Sequence, residues 1–282
     1  MFRRKRDAKK GEKGMERVEK LKQKMRDGKL VKGFFLTMAD PAVSEMAGYA
    51  GYDYVWIDAE HAPLGRQEIL HHVMAAQGSG CAAFVRVPGV DRTMLKAILD
   101  MGPDGIIFPF VNSAQIAEEI VRACTYPDFG GVRGQGPVRA IRYGLMNENE
   151  YIREANDKVL KIAQIETMEG YENLEEILQV EGLDSLFIGA ADLSRSIKGR
   201  ADGTELKTVY EDICRRVREK DKYLGAAIGP APEEARHVKE LGVQWVVFGQ
   251  DARALAGALK ANLDAVAEYC LLPVFFKFFQ FF

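Results

Sequence analysis

Short apolar runs alternate with helical patterns along most of the chain, and this alternation restricts the fold more than any other feature. Repeated strand–helix alternation is typical of a parallel sheet, and eight units indicate closure. The sequence therefore predicts an α/β fold, a (β/α)8 TIM barrel. The eight predicted strands are Gly33–Met38, Tyr54–Asp58, Ala82–Val87, Gly105–Phe110, Lys161–Glu166, Ser185–Ala190, Tyr223–Ile228 and Trp245–Gln250.

An open, doubly wound sheet is the alternative architecture. No glycine-rich GxGxxG sequence follows the first predicted strand, which argues against the dinucleotide-binding form of that sheet. Helical patterns fill most intervals between the strands. They span Pro41–Tyr49, Gln67–Gln77, Thr93–Asp100, Ala114–Cys124, Leu206–Lys220 and Glu233–Leu241, and a further helix follows at Ala252–Tyr269.

The two ends of the chain differ from the barrel region. Residues 1–15 are heavily charged and are expected to be a disordered tail, followed by a helix from about Glu16 with an apolar stripe at Val18, Leu21 and Met25. Residues 16–269 are expected to form a single barrel domain. Residues 270–282 are an aromatic tail whose role the sequence does not define.

Composition excludes several classes of protein. The formal net charge of −2 gives no global bias toward nucleic acid, and no apolar run reaches the roughly 18 residues that a membrane-spanning helix needs. The four cysteines are far apart and form no CxxC pair. They predict reduced thiols and a cytoplasmic protein.

Two carboxylates follow neighbouring strands in a strand–helix–strand unit. Glu166 and Asp192 should lie side by side, because such units place consecutive strand ends on one edge of a parallel sheet. Hard oxygen ligands without histidine or cysteine suit Mg²⁺ or Mn²⁺. The N–H groups of Gly189, Ala190, Ala191 and Asp192 would then hold an anionic substrate. The alternative is that both carboxylates cap helices.

Three more polar side chains are predicted at the same end of the barrel. Among the four histidines, His61 alone follows a strand, which makes it the candidate base, although a structural role is an equal alternative. Arg86 ends the third strand, and its permanent charge suits a developing enolate. Gln164 shares a strand face with Glu166 and would bind a substrate oxygen.

A glycine- and arginine-rich stretch, Tyr126–Gly144, cannot form regular structure throughout. We expect a large loop, partly near the barrel mouth, whose arginines suit a carboxylate or phosphate. An ordered surface loop with salt bridges is the alternative.

Several of these motifs together resemble a known family. The runs DAEH, RVP, AQIET, ENLEEI and VEGLDSLFIGAADLS are similar to the metal-dependent class II pyruvate aldolases of the HpcH/HpaI aldolase/citrate lyase family, of which 4-hydroxy-2-oxoheptane-1,7-dioate aldolase is typical. The resemblance runs from about Gly33 to Asp264. It implies an aldehyde-lyase that cleaves a 4-hydroxy-2-oxoacid to pyruvate and an aldehyde through a metal-stabilised pyruvate enolate.

The resemblance also implies roles for single residues. Glu166 and Asp192 would hold Mg²⁺, Mn²⁺ or Co²⁺, and Gln164 and Ala191 would contact pyruvate. Arg86 would stabilise the enolate. His61 would take the proton of the 4-hydroxyl, with water as the relay. One departure is Ala190, where many of these aldolases have proline.

Asp100 matches an aspartate that raises the basicity of the family's catalytic histidine. The barrel would place Asp100 at the opposite end from His61. It could reach His61 only if the local chain bends back or if it belongs to a neighbouring subunit. Members of the family are dimer-based homo-oligomers, often hexamers, that exchange their last helix. The resemblance therefore implies small-molecule 2-oxoacid and aldehyde partners and a second copy of the chain.

Three other functions compete with this interpretation. A CoA-thioester lyase of the citryl-CoA or malyl-CoA type belongs to the same family, but the sequence around Gln164 and Asp192 favours the free-acid branch. Oxaloacetate decarboxylation needs the same enolate stabilisation. A catalytically silent barrel acting as an assembly protein is the non-enzymatic alternative.

Overall fold

The fold is a closed barrel of eight parallel strands. The computed structural model describes residues 17–200 and 202–270, so the expectations for residues 1–15 and for the tail after residue 270 lie outside the described residues. Each strand pairs with its neighbours in sequence, and the last strand pairs with the first, which confirms the predicted barrel. The strands are β1 (Val31–Leu36), β2 (Tyr54–Asp58), β3 (Ala82–Arg86), β4 (Gly105–Phe108), β5 (Leu160–Ile165), β6 (Ser185–Ile188), β7 (Tyr223–Ala227) and β8 (Trp245–Gln250).

Helices follow the strands around the outside of the barrel. Three intervals hold more than one helix. The β5–β6 interval has two short helices, the β6–β7 interval has two longer ones, and the β4–β5 interval has two 3₁₀ turns and a short helix after its first helix. The helices are α1 (Arg17–Arg26), α2 (Ala42–Tyr49), α3 (Arg66–Gly78), α4 (Arg92–Asp100), α5 (Ala114–Cys124), α6 (Glu148–Glu154), α7 (Met168–Glu172), α8 (Leu174–Leu178), α9 (Ala190–Lys198), α10 (Leu206–Arg218), α11 (Pro232–Glu240) and α12 (Asp251–Cys270).

Large aromatic side chains fill the barrel interior. The rings of Tyr54 and Phe84 stack with centroids 4.5 Å apart, and Trp245 meets Tyr54 edge-on at 5.8 Å. A Cβ at Gly225 would lie 2.1 Å from the Trp245 ring, so only glycine leaves room for the indole there. The interior is therefore packed rather than open, and binding sites are confined to the two ends of the barrel.

Helix α1 closes the amino-terminal end of the barrel. Its apolar stripe, Val18, Leu21 and Met25, is buried against the interior cluster, as the sequence predicts. Ion pairs fix its position, since Arg17 contacts Asp104 and Lys24 contacts Asp53. The carboxyl-terminal end is therefore the end left free for an active site.

The segment Tyr126–Gly144 lies at the amino-terminal end, so the expectation that part of it reaches the barrel mouth is wrong. Helix α5 returns the chain to that end before the segment begins. Arg139 then donates hydrogen bonds to the Met101 carbonyl oxygen at 2.6 Å and to Gln77 Oε1 at 2.7 Å, both on the amino-terminal side. The direction of the preceding helix decides where an irregular segment lies.

Helix α12 is anchored at its first residue and exposed beyond it. The Asp251 carboxylate accepts hydrogen bonds from the backbone N–H groups of Thr37 and Met38 at 2.8–3.0 Å. Residues 252–266 are exposed, including Leu255, Leu259, Leu263 and Val266. Exchange of this helix between subunits stays a prediction. Within residues 17–200 and 202–270, no helix has both the length and the apolar content that crossing a bilayer requires.

Candidate active site

Glu166 stands at the centre of the polar groups at the carboxyl-terminal end. It follows β5 directly and is 3% exposed. Its Oε1 accepts the Phe110 backbone N–H at 2.8 Å, and its Oε2 accepts a short hydrogen bond from Gln164 Nε2. Burial raises the pKa of Glu166; the Phe110 N–H opposes that shift, and the charges of Glu60 and Asp192 add to it. A buried carboxylate is thus held close to two further carboxylates.

Phe110 presents its N–H to Glu166 from an unusual backbone conformation. Its φ is 52°, in the left-handed region that non-glycine residues seldom adopt. Its side chain is 49% exposed at the barrel mouth. Backbone of this kind costs about 1–3 kcal/mol and concentrates at functional sites, so its position beside Glu166 supports a functional pocket here.

Asp192 lies in the first turn of α9, after β6. Its side chain is 43% exposed, and Arg195 Nη1 lies 3.8 Å from its Oδ1. Gly189, directly before α9, packs against Glu166 Cβ, so the helix that carries Asp192 begins beside that carboxylate. These two side chains can offer oxygen ligands from adjacent strand ends.

Gly189 precedes α9 and packs against the β5 side chains. A Cβ at this position would lie 2.5 Å from Glu166 Cβ and 2.9 Å from Gln164 Nε2, so the pocket wall requires glycine. The Gly189 N–H donates to the Ile165 carbonyl oxygen at 2.9 Å and is engaged within the barrel, and the expected contact of Gly189 with substrate stays a prediction.

The first residues of α9 remain candidates for holding an anion. N–H groups in the first turn of a helix have no acceptor within the helix, and they point at a ligand placed there. Ala190, Ala191 and Asp192 supply these groups directly beside Glu166. These three N–H groups are therefore the candidates for anion binding, whereas the Gly189 N–H is already engaged.

Arg86 ends β3 and is held by two carboxylates. Its Nε donates to Asp58 Oδ1 at 2.9 Å, and its Nη1 lies 3.1 Å from Glu60 Oε2. The guanidinium also lies 5.4 Å from the ring centroids of Phe35 and Trp56. At 7% exposure it is a fixed positive charge at the floor of the pocket.

His61 lies at the rim of the same pocket. Its side chain is 68% exposed, and its Nε2 lies 3.7 Å from Glu60 Oε2. Its backbone N–H reaches Asp58 Oδ1 at 3.4 Å, so Asp58 orders both this turn and the Arg86 side chain. Exposure leaves the imidazole accessible to a substrate hydroxyl or a water.

Asp100 does not join these residues in the described chain. It ends α4, which runs away from the carboxyl-terminal end, and it lies against Gly136 in the segment before β5. Burial raises the pKa of Asp100, while the charges of Arg133 and Lys96 lower it. Within one subunit it is therefore remote from His61.

Asp58 and Glu60 take part in the site although the sequence assigned them no role. Asp58 is 1% exposed and orients Arg86, whereas Glu60 lies between Arg86 and His61. Burial raises the pKa of Glu60, and the Arg86 charge opposes the shift. Their position in DAEH, which begins with the last residue of β2 and continues past its end, was the available signal.

The polar groups fit a divalent cation bound mainly by water or substrate. In the described ranges, no three histidine, cysteine, aspartate or glutamate side chains are grouped to hold a metal by themselves. Glu166 and Asp192 supply two oxygen donors, and Mg²⁺ commonly keeps its other positions for water and substrate. Gln164 Oε1 is buried with no hydrogen-bond partner in the described chain, so an acceptor is left for a ligand.

Comparison with known proteins gives one consistent result. The family model described as HpcH/HpaI aldolase/citrate lyase matches residues 32–269. The 4-hydroxy-2-oxovalerate aldolase of Rhodococcus jostii is 35% identical over 89% of this chain and 98% of its own length. The hydroxypyruvate/pyruvate aldolase of Pseudomonas aeruginosa is 35% identical over 88% of this chain and 95% of its own length.

Solved structures agree with the sequence relatives. The HpcH/HpaI aldolase of Desulfitobacterium hafniense superimposes with a TM-score of 0.80 at 31% identity, covering 90% of this chain and 98% of that chain. The barrel and the matched region are therefore shared along nearly the whole length of both proteins.

Proposed function

The chain belongs to the HpcH/HpaI aldolase/citrate lyase family and is an aldehyde-lyase, and we propose that it cleaves a 4-hydroxy-2-oxoacid to pyruvate and an aldehyde with a divalent metal as cofactor. The observation that carries the proposal is the convergence of Glu166, Asp192, Gln164 and Arg86 at one end of the barrel. The named aldolase relatives support the same chemistry.

Glu166 and Asp192 would hold the ion, which is Mg²⁺, Mn²⁺ or Co²⁺. When bound, the ion supplies a Lewis acid that polarises the 2-oxo group of the substrate. The carboxylate of the substrate accepts hydrogen bonds from the N–H groups at the start of α9, at Ala191 and Asp192. Gln164 Nε2 donates one hydrogen to Glu166 and can donate the other to an adjacent oxygen of the substrate.

Arg86 stabilises the negative charge that develops on the enolate oxygen. Asp58 and the rings of Phe35 and Trp56 fix the guanidinium before substrate arrives, so little reorganisation accompanies the reaction. Arginine keeps its charge in a buried position, which lysine does less reliably.

His61 takes the proton of the 4-hydroxyl group, directly or through a water. The hydroxyl oxygen then forms the aldehyde carbonyl, and the C3–C4 bond breaks with its electron pair passing to the enolate. A proton returned to C3 gives pyruvate. The exposed imidazole at the rim is accessible from the side where an aldehyde would leave.

Pyruvate release from a panel of 4-hydroxy-2-oxoacids tests the proposal. We expect release with added divalent metal, none with a chelator, and none from Glu166→Ala or Asp192→Ala. Glu211→Ala, a change at a partly exposed glutamate on α10, is the matched control and should keep full activity. Full activity in either site variant would contradict the metal assignment.

Oxaloacetate belongs in the same panel, since its decarboxylation also forms pyruvate enolate. A solved citrate synthase is 30% identical to this chain with a TM-score of 0.77 and covers 88% of it, so the fold and family also accommodate chemistry on citrate. Turnover of oxaloacetate without any aldol cleavage would replace the proposed reaction with decarboxylation. Turnover only of a citryl- or malyl-CoA thioester would assign the CoA branch.

We also propose a cytoplasmic homo-oligomer built on α12. The exposed residues Leu255, Leu259, Leu263 and Val266 recur at three- and four-residue steps, so they form one apolar stripe. The double variant Leu259→Lys/Leu263→Lys should sediment as a smaller species than the unchanged protein. Unchanged sedimentation would remove α12 from the interface.

An oligomer would also allow Asp100 to act on His61 of a second copy. Mixed refolding of His61→Ala with Asp100→Asn tests this, because hybrid oligomers would contain some sites with both native residues. Recovery of activity above that of either variant alone is expected. Failure to recover activity in confirmed mixed oligomers would exclude the role across subunits.

A further inference from the structure

Six buried side-chain nitrogen and oxygen atoms make no aligned hydrogen bond among the residues that the structure describes. Three of them, Arg133 Nε, Arg133 Nη1 and Asn156 Oδ1, belong to the stretch before β5. The other three are Trp56 Nε1 on β2, Gln164 Oε1 on β5 and Glu60 Oε2 in the turn after β2. Proteins seldom bury such atoms, so these three need a physical account.

Trp56 and Gln164 lie in adjoining layers of the barrel interior. Gln164 comes two residues after Ile162 of the interior cluster, and Arg86 comes two residues after Phe84 of the same cluster. Both side chains therefore face the interior one layer nearer the mouth. The Arg86 guanidinium lies 5.4 Å from the Trp56 ring centroid, so the indole adjoins the layer that holds Gln164.

The Trp56 ring also extends across the interior toward the strand of Gln164. Its centroid lies 4.7 Å from that of the Phe187 ring, in an edge-on arrangement. Phe187 on β6 is the register partner of Gln164 on β5. The indole of a β2 residue therefore reaches the side of the barrel that carries the Gln164 amide.

Glu60 borders the same floor from above. Its Oε2 lies 3.1 Å from Arg86 Nη1 and 3.7 Å from His61 Nε2, and these ion-pair contacts leave it without an aligned hydrogen bond. Since Arg86 also lies over the Trp56 ring, the guanidinium is the shared neighbour of Glu60 and Trp56. The three unsatisfied atoms thus surround one region, the floor of the candidate active site.

These three atoms match the hydrogen-bonding capacity of a single water molecule. Trp56 Nε1 only donates, the oxygens Gln164 Oε1 and Glu60 Oε2 only accept, and a buried water commonly makes about three such bonds. We propose that an ordered water is bound at the pocket floor by Trp56 Nε1, Gln164 Oε1 and Glu60 Oε2, and that Trp56 is a positioning residue for Gln164.

The water decides which way the Gln164 amide points. A water that accepts from Trp56 Nε1 directs its hydrogens at acceptors, so the amide oxygen faces it rather than the amide nitrogen. Gln164 Nε2 is then kept on the side of Glu166, to which it donates, and of the substrate. The positioning role rests on the proposed function, whereas the water site itself does not.

A crystal structure of the full chain, grown with chelator and at a resolution that defines waters, tests the site. We expect a density peak within about 3.2 Å of both Trp56 Nε1 and Gln164 Oε1. No peak there would overturn the proposal. A peak that appears only after Mn²⁺ is added would also overturn it, because the water would then belong to the metal.

Kinetics of Trp56→Phe test the positioning role, since this change removes the N–H and keeps an aromatic ring. We expect KM for the oxoacid that is cleaved fastest to rise about tenfold with kcat within about twofold, because Gln164 would bind substrate less well before and during the reaction alike. Trp245→Phe is the matched control. Its indole N–H donates to Ser185 Oγ at 2.9 Å, so KM should stay unchanged.

The same change in a Gln164→Met background separates positioning from packing. There Trp56→Phe should alter KM by less than about twofold, because its effect passes through Gln164. An equal rise in both backgrounds would assign Trp56 to packing alone and overturn the positioning role. If Trp56→Phe does not fold, the density peak in the unchanged protein decides. An absence of pyruvate release would contradict the proposed function, whereas the peak still decides the water site.

Discussion

Both ends of the barrel hold a buried aspartate that pairs with an arginine. At the amino-terminal end, Asp104 accepts hydrogen bonds from Arg17, Gln77 Nε2 and the Ala83 N–H at 2.8–3.1 Å. Burial raises the pKa of Asp104, and these partners oppose the shift. The carboxylate is fully engaged, and the arrangement ties α1 to β3 and β4.

At the carboxyl-terminal end, Asp58 and Arg86 stand among groups that are not satisfied. Glu60 and Glu166 add carboxylates; Gln164 Oε1 is buried without a hydrogen-bond partner in the described chain, and Glu60 Oε2 has ion-pair contacts with Arg86 and His61 but no aligned hydrogen bond. Proteins usually satisfy such atoms, and exceptions concentrate at functional sites. A buried aspartate–arginine pair therefore stabilises the fold at the amino-terminal end, whereas a pair of the same kind positions groups of a binding site at the carboxyl-terminal end.

The largest effect should come from Glu166→Gln. We expect pyruvate release to fall by about a thousandfold or more, because one of the two ligand charges is lost. The melting temperature at pH 7 in chelator should rise. The raised pKa of Glu166 means that its stabilising contribution is present below pH of about 4.3 and is lost as pH rises through the folded-state pKa.

Two measurements check this prediction, steady-state pyruvate release and melting curves at pH 7 and pH 4. The stability gain should vanish at the lower pH. A variant that loses both activity and stability at pH 7 would show that Glu166 supports the fold, and the contrast between the two ends would fail.

Arg86→Lys should follow, with a loss of roughly a hundredfold to a thousandfold in turnover. Lysine keeps a positive charge but cannot reproduce the paired contacts with Asp58 and Glu60. Hydrogen exchange at C3 of pyruvate in D₂O reports enolate formation, and Mn²⁺ titration reports the metal site. We expect the exchange rate to fall while Mn²⁺ affinity stays within about threefold, a difference well below one decade of affinity. Equal losses in both would place Arg86 in metal binding.

Asp104→Asn should show the opposite behaviour. We expect the free energy of unfolding to fall by about 1–3 kcal/mol, while turnover stays unchanged. Both Asp104 oxygens accept from donors, so the amide NH₂ of Asn would face the Arg17 donor, and this loss outweighs the relief of a buried charge. Urea denaturation with parallel assays measures both. Asp128→Asn, at an exposed aspartate, is the control. Lost turnover in a folded Asp104→Asn protein would contradict the division between the two ends.

The smallest effect should come from His72→Gln. His72 lies near the carboxyl-terminal end, where its ring nitrogens have hydrogen-bond partners. Buried His72 contacts Ser44 Oγ through Nδ1 at 2.8 Å and the Met38 carbonyl oxygen through Nε2 at 2.9 Å. The carbonyl only accepts, so Nε2 carries the proton and Nδ1 accepts from Ser44. Burial lowers the pKa of His72.

Stability from neutral His72 is therefore present above pH of about 6.5 and is lost as pH falls through its lower folded-state pKa. In His72→Gln the free energy of unfolding should change less between pH 7.5 and pH 5, as urea titrations at several values of pH would measure. An unchanged slope would assign acid sensitivity to other groups. The expected result would show that His72, beside the pocket, acts through satisfied hydrogen bonds, in contrast to the polar groups within the pocket.

Strand number and order could be predicted from the sequence because buried strands and amphipathic helices differ in period. The boundaries moved by one or two residues; β1, for example, begins at Val31 rather than Gly33, since exposed Lys32 interrupts its apolar run. The strand-end rule brought Glu166 and Asp192 together. The local sequence pattern was sufficient to predict the position of a residue wherever the path of the backbone alone determines that position.

The end of the barrel at which an irregular segment lies could not be predicted from the sequence. The place of Tyr126–Gly144 after the fourth strand–helix unit predicts a position partly at the mouth, but the helix of that unit returns the chain to the amino-terminal end. Hydrogen-bond and ion-pair partners could not be predicted either. The sequence does not indicate that the Gly189 N–H donates to the Ile165 carbonyl oxygen, or that Arg86 pairs with both Asp58 and Glu60. Such contacts depend on distances between separate strands.

The barrel closes where β1 meets β8, and Thr37 and Asp251, which join across this seam, are 214 residues apart in the chain. A ribosome adding about 5–20 residues per second needs roughly 10–40 s to make that length. During this time one edge of β1 has no partner, and an unpaired edge of an apolar strand is a template for association with other chains. The yield of folded protein in a cell should therefore depend on translation speed and on chaperones that cover β1 until β8 is synthesised.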